Sequence, residues 1–327
     1  MTTWWLTARI REYAVARQIV DVPNDRSSHA VATPRGGGAA IVLAMLGALA
    51  LVAWSGAVPW PPVMGLMAGG AIAAAVGFID DHGHVPAKWR LLGHLAAAIC
   101  VLASLGGVPP LTGFGLAIGP GWIGNGIAVL YVVWVLNLTN FMDGIDGLAG
   151  VETVTVCLSG ALLYLVVDPV GEEWQVPILL ASATTGFLAW NWPPARIFMG
   201  DVGSGFVGLA LAAMSLRAAW VNPTLFWGWI ILLGVFVVDA TVTLVRRVAR
   251  GETFSEAHRS HAYQHAARRL AGHRTVTLVV GAINVVWLLP IALLVTYQAL
   301  DGPSGVVVAY TPLLGAALVL RAGTPAT

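Results

Sequence analysis

Polar residues fall in five bursts along the chain, and the stretches between them are almost wholly apolar. The bursts read "DVPNDRSSHAVATPRGGG" (21–38), "GFIDDHGHVPAKWR" (77–90), "NLTNFMDGIDGLAG" (137–150), "NWPPARIFMGDVGSG" (191–205) and a segment at 246–274 that begins "RRVARGETFSEAHRSHAYQHAARR". Apolar runs cover 38–56, 61–79, 88–106, 122–139, 147–167, 174–191, 203–219, 224–246, 276–297 and 303–320. Runs of about 16 to 23 apolar residues can cross a hydrocarbon core of about 30 Å as helices. The pattern therefore predicts an all-α polytopic membrane protein of about ten transmembrane helices, a single membrane domain over 1–327. An even number of spans separates successive bursts, which places all five on one face.

Composition agrees. Of the 327 residues 57% are hydrophobic and 10% charged, with mean hydropathy +0.79, against roughly 25% charged in a soluble domain. A net charge of +1 gives no sign of a nucleic-acid partner. Threading the spans puts every Lys and Arg except Arg217 on the face with the polar bursts, so that face is expected to be cytoplasmic. Cys100 and Cys157 fall in different spans, where small apolar packing is their expected role. The first 20 residues carry Arg9, Arg11 and Arg17, too much charge for a signal peptide or a full span, and read as an amphipathic interfacial helix.

Asp80, Asp81, Asp143, Asp146 and Asp201 stand at helix ends on one face, each beside Gly or Asn rather than Lys or Arg. One such acid is commonly a cap or an interfacial residue. Three clusters gathered together would repel unless a cation lay between them. Mg2+ suits such a set, being held by one or two carboxylates, water and substrate phosphate. Anion-binding features share the loops: Gly36 to Gly38, Gly200, Gly203 to Gly205, Arg35, Arg259 and three His. Helix packing is the competing explanation for the glycines. His258, His261 and His265 have a spacing that invites zinc, but no Cys is near and Arg259 among them suits an anion better. His265, further along, is expected at the surface. Asp239 lies inside a span and is expected to be a buried, hydrogen-bonded or Arg-paired residue; Glu152 is similarly placed.

These motifs, in this order, resemble the polyprenyl-phosphate N-acetylhexosamine-1-phosphate transferases over nearly the whole chain. The resemblance rests on the Asp-Asp pair after the second span, "NLTNFMDGIDGL", "FMGDVGS" and the His loop. It implies that the phosphate of a polyprenyl (undecaprenyl) phosphate attacks a UDP-N-acetylhexosamine, releasing UMP, on the cytoplasmic face of a bacterial inner membrane, with the bilayer as surroundings and a homodimer left open. It further implies Mg2+, with Mn2+ as a substitute, on Asp201 and Asp143. Asp80 and Asp81 would position the acceptor phosphate or assist the metal, with a base role open. Asn140, Asp143 and Asp146 would line the nucleotide and metal site, Asn191 and Phe198 would hold uracil, Arg35 would contact substrate, and His258, Arg259 and His261 would neutralise the diphosphate.

The chain departs from the family in two ways. A full span usually precedes the "DVPN" loop, so the first helix is expected either upstream of Met1 or lost. "HRSH" and "SSHAVATPRGGG" look closer to the O-antigen-initiating branch than to the peptidoglycan branch, which shifts the expected sugar toward GlcNAc, GalNAc, FucNAc or QuiNAc. A transporter would carry its acids near the midplane. A Mg-dependent prenyltransferase would need paired DxxxD-type motifs. Neither pattern is present.

Overall fold

The computed structural model describes residues 1–23, 31–83, 85–253, 258–270 and 272–325. Parts of the first and last polar bursts, 24–30 and 254–257, lie outside the described residues, as does His84. Each expected apolar run lies on helix. In chain order the elements are α1 (Thr2–Ala16), β1 (Val20–Asp21), β2 (Thr33–Pro34), α2 (Ala39–Trp54), α3 (Trp60–His82) and α4 (Ala87–Ser104). A hairpin of β3 (Leu111–Gly113) and β4 (Leu116–Ile118) leads to α5 (Trp122–Met142), α6 (Leu148–Val167), α7 (Gln175–Asn191) and α8 (Asp201–Val221). The chain continues through α9 (Pro223–Leu232), α10 (Gly234–Ala249), α11 (Ala262–Arg269), α12 (His273–Ile283), α13 (Leu289–Thr296) and α14 (Gly302–Val319). Among the described residues seven helices are long and apolar enough to span a membrane, or eight with the bent α9–α10 pair; α2 and α7, at 16 and 17 residues, are shorter.

Two expected spans are not straight. The run at 224–246 breaks at Leu233 with a bend of 65°. Gly234 lets α10 leave closely against Tyr310, and the Tyr310 hydroxyl donates to Ile230 O at 2.6 Å, satisfying a carbonyl at the break. The run at 276–297 carries a π-helical turn, Asn284–Leu288, just before Pro290. Proline lacks the N–H that a regular turn requires, and a wider turn absorbs the mismatch.

The core centres on α8, almost wholly buried among α2, α3, α5 and α9. Small residues permit this. A Cβ at Gly38 would collide with Gly203 Cα, and one at Gly77 would collide with the Asp201 backbone. In a membrane, where lipid competes with apolar side chains, such close approach is a main source of helix affinity. The amino-terminal helix differs from expectation. It buries Thr3, Thr7 and Ala14 while exposing Trp4, Trp5, Tyr13 and Val15, so its inward face is the small and polar one. Thr3 lies against Gly186 of α7, and Trp190 Nε1 donates to Trp4 O at 3.1 Å. It is a packed member of the bundle. Both cysteines are free, Cys157 buried and Cys100 half-buried.

Thermal melting in detergent checks this packing. Gly38→Ala should destabilise the protein by about 1 to 3 kcal/mol, the usual range for overpacking. Gly47→Ala, with open space at its Cβ position, should melt as the wild type.

Candidate functional site

Asp81 ends α3 and spends its carboxylate on another helix. Oδ1 accepts from Asp201 N and Oδ2 from Val202 N, both at 3.1 Å. The next two amides of α8, of Gly203 and Ser204, donate to Gly200 O at 3.1 and 3.0 Å. All four opening N–H groups of α8 are thus engaged, the requirement every buried helix start faces. Gly200 makes the approach feasible: its φ is +74°, and a Cβ there would press on Asp81 Oδ2 and Gly36 N at 2.6 and 2.8 Å. Arg35 Nη2 donates to Asp81 O at 2.7 Å, tying in the first polar burst.

This arrangement corrects the expectation that the glycines cradle phosphate. Gly37 N and Gly38 N donate to Phe198 O and Met199 O at 2.9 and 2.8 Å, and Phe198 N donates to Pro34 O at 2.8 Å. Those amides hold loop to loop. The packing explanation of the glycines is the one the structure supports. Phe198 itself is half-buried.

Asp201, at the first position of α8, faces a second set of groups. Its Oδ1 accepts from Asn140 Nδ2 at 2.8 Å, and the same amide reaches Ser204 Oγ at 3.0 Å. Asp80, one residue before the capping Asp81, stands beside the Asp201 carboxyl. Asp80 has a basic partner that its neighbours in sequence do not reveal: Arg90, one turn into α4, lies 2.8 Å from Asp80 Oδ2 and 3.6 Å from Asp201 Oδ2. A small pocket opens here, lined by Arg90, His94, Asn137, Asn140, Phe141 and Asp201 among others. Arg90, His94 and Ser204 were not among the expected site residues. The available signal was polar residues at helical spacing inside otherwise apolar runs.

Asp143 caps the end of α5 beside this group. Burial raises its pKa well above the ordinary 3.8, and the nearby charges of Asp201, Asp81 and Asp146 add to the rise. The three acid clusters therefore converge, as the repulsion argument anticipated. Among the described residues no three acid, His or Cys side chains form a ready metal cage. The donor set of Asp80, Asp143 and Asp201 fits a hard ion held by one or two carboxylates, with water and substrate oxygens completing its shell.

Asp146 and Asn191 have backbone tasks. Asp146 Oδ2 accepts from Ala195 N at 3.0 Å, and Oδ1 lies 3.2 Å from His273 Nδ1. Asn191 is buried, its Oδ1 accepting from Gly147 N at 2.9 Å and its Nδ2 donating to Ile197 O at 3.0 Å. Both fix the loops that carry Asp143 and Phe198, and Asn191 has its amide engaged at both ends.

The His loop repeats the Asp81 device. Asp239 accepts from Ala262 N at 2.8 Å and Tyr263 N at 2.9 Å, the first amides of α11, while Gln264 N and His265 N donate to His261 O. The expectation that Asp239 is buried and hydrogen-bonded holds. His261 Nδ1 lies 3.3 Å from Asp239 Oδ1, its ring stacked between His258 and Tyr263. The Tyr263 hydroxyl donates to Phe141 O at 3.0 Å, docking the loop against the end of α5. Burial, with His261 and Arg247 beside it, lowers the His258 pKa to about 3, so this ring enters the site as a neutral hydrogen-bonding group rather than a cation. Arg259 is half-buried and has no acid partner among the described residues. His265 is buried, against expectation, with Nε2 3.3 Å from Thr324 O and Nδ1 3.0 Å from Arg268.

Residues 63–219 match the model of glycosyl transferase family 4. A "probable undecaprenyl-phosphate N-acetylglucosaminyl 1-phosphate transferase" of Bacillus subtilis is 31% identical over 302 residues, covering 88% of this chain and 80% of that protein. A decaprenyl-phosphate N-acetylglucosaminephosphotransferase of Mycobacterium tuberculosis is 28% identical, covering 85% and 76%. A phospho-N-acetylmuramoyl-pentapeptide-transferase of Kocuria rhizophila is 29% identical, covering 76% and 78%.

The two adjacent acids should separate by experiment. Asp81→Ala strands two buried amides at about 1 to 3 kcal/mol each, and should melt well below the wild type in detergent. Asp80→Asn keeps an acceptor for Val85 N, which lies 2.7 Å from Asp80 Oδ1, and should melt close to it.

Proposed function

The chain belongs to glycosyl transferase family 4, the polyprenyl-phosphate N-acetylhexosamine-1-phosphate transferases, and on that premise we propose that it moves N-acetylhexosamine 1-phosphate from a UDP-sugar onto a polyprenyl phosphate, releasing UMP. The reaction would be a first lipid-linked step of cell-envelope polysaccharide synthesis, on the cytoplasmic face of the cytoplasmic membrane. The carrying observation is the convergence of Asp80, Asp143 and Asp201 at helix ends on one face of a membrane bundle, beside Arg90, Arg35 and the His loop. A soluble nucleotide and a membrane-held phosphate can meet only at such an interface.

The residues divide the work. Asp201 and Asp143 would hold Mg2+, or Mn2+ in its place. The ion would supply charge neutralisation and orientation of the diphosphate. Asn140 keeps the Asp201 carboxylate turned toward the pocket. Asp80 and Arg90, paired at 2.8 Å, would position the acceptor phosphate. A phosphate monoester with a second pKa near 6 is largely dianionic at neutral pH, so positioning matters more than a base. Arg259 and His261 would meet the diphosphate, His258 would donate or accept one hydrogen bond, and Phe198 would hold uracil. The relatives' names favour N-acetylglucosamine over 6-deoxy sugars as the first donor to test.

The test is radiolabel transfer with purified protein, undecaprenyl phosphate and a panel of UDP-N-acetylhexosamines. Labelled lipid and UMP in equal amounts are expected; no labelled lipid from any donor would overturn the reading. Asp201→Asn should abolish transfer while melting like the wild type. Arg259→Ala should lower turnover by about ten- to a hundredfold, the equivalent of losing a bond to a charged group at about 1.5 to 3 kcal/mol; unchanged turnover would remove the loop from the site.

The raised pKa of Asp143 sets a pH dependence. Its folded-state value exceeds 3.8, so without a cation its contribution favours the folded state below that value and turns unfavourable as pH rises toward the folded pKa. A bound cation relieves the penalty on the ionised carboxylate. The rise in melting temperature on adding Mg2+ should therefore be larger at pH 8 than at pH 5, read by melting curves with and without the ion.

A further inference from the structure

Glu152 is an acid that this chemistry does not use. It lies one turn into α6 and is fully buried. Its Oε2 accepts from Asn284 Nδ2 at 2.7 Å, and the same amide donates to Thr155 Oγ1 at 2.8 Å. Both amide hydrogens of Asn284 are thereby used. Two buried atoms of this cluster remain without partners, Glu152 Oε1 and Asn284 Oδ1. Both are acceptors, so what the cluster lacks is a donor hydrogen. Among the described residues no Lys, Arg or His is bonded to Glu152. An ionised carboxylate here would be a charge buried without a counter-ion, whereas a protonated one gains an O–H donor and loses the charge.

The position of the pair gives it a task. Asn284 opens the π-helical turn of the α12–α13 span, and such turns are frequent at functional sites. Along α12 the contacts to the central motif and α6 recur at successive turns. Thr277 Oγ1 donates to Asp146 O at 3.0 Å, and His273 meets the Asp146 carboxylate. Gly281 lies close against Val151, and Asn284 meets Glu152. Asp146 in turn holds Ala195 N. The depth and rotation of α12 thus bear on the loop that carries Asp143.

We propose that Glu152 is held as the neutral acid, its Oε1 hydroxyl donating to Asn284 Oδ1, and that this closed acid–amide pair is a positioning element that fixes α12 against α6 and, through it, the Asp143–Asp146 segment of the site. Glutamine at this position would retain both bonds, an amide N–H replacing the carboxyl O–H. Methionine would retain volume alone.

Infrared difference spectroscopy between the wild type and Glu152→Gln tests the protonation. The wild type should show the carbonyl stretch of a protonated carboxyl that shifts in D2O, and Glu152→Gln should lack it. Transfer kinetics test the positioning. Glu152→Gln should stay within about twofold of wild-type kcat, while Glu152→Met and Asn284→Ala should fall by about tenfold or more with little change in KM for the nucleotide sugar. A spectrum unchanged by Glu152→Gln, Glu152→Gln as impaired as Glu152→Met, or Glu152→Met as active as Glu152→Gln would each overturn the proposal. If Glu152→Met fails to fold, the spectrum and the Glu152→Gln kinetics decide. The infrared measurement needs no substrate, so its outcome is separable from that of the transferase reading.

Discussion

The structure depends on satisfying helix starts that are buried within the protein at the polar face of the bundle. Water cannot serve these amides, and each one left bare would cost on the order of a kcal/mol or more. The chain meets the need with carboxylates sent from other helices. Asp81 on α3 closes the first two amides of α8, and Asp239 on α10 closes those of α11. The bonds span 120 and 121 residues in the first case and 23 and 24 in the second, so each cap is also a tertiary clamp. Because α8 occupies the centre of the bundle, the Asp81 clamp fixes where Asp201 stands.

This constraint sorts the acids of the polar face. Asp81, Asp146 and Asp239 have carboxylates committed to backbone amides, and the site could not keep its shape without them. Asp201 lines the pocket beside Arg90, Asp80 is paired with Arg90, and Asp143 lies within electrostatic reach of Asp201. Acids with different partners are neighbours in sequence, as in Asp80 and Asp81 or Asp143 and Asp146.

Much of this was legible in the sequence, for definite reasons. Hydropathy located every long apolar helix, because an apolar run of sufficient length has few alternatives in a membrane. The motif order located the convergence of acids. The partners of the caps were not legible: nothing local marks Asp81 as the acceptor for amides 120 residues away. The bend at Leu233 was hidden because Gly234 sits in an unbroken apolar run, where glycine in a membrane helix is common. His265 was misplaced because its burial depends on Thr324, near the carboxyl end, and Arg268. The glycine clusters carried two meanings, packing and anion binding, and only the hydrogen bonds of Gly37 and Gly38 decided between them.

The division of the acids is tested most directly by Mn2+ binding, followed by electron paramagnetic resonance across single Asp→Asn variants of folded, detergent-purified protein. Asn at positions 80, 143 and 201 should weaken Mn2+ binding while leaving the melting temperature near that of the wild type. Asn at 81 and 239 should lower the melting temperature while the protein that remains folded binds Mn2+ as the wild type does. Loss of Mn2+ binding in Asp81→Asn with unchanged melting would contradict the account, because it would make Asp81 a ligand rather than the clamp on α8.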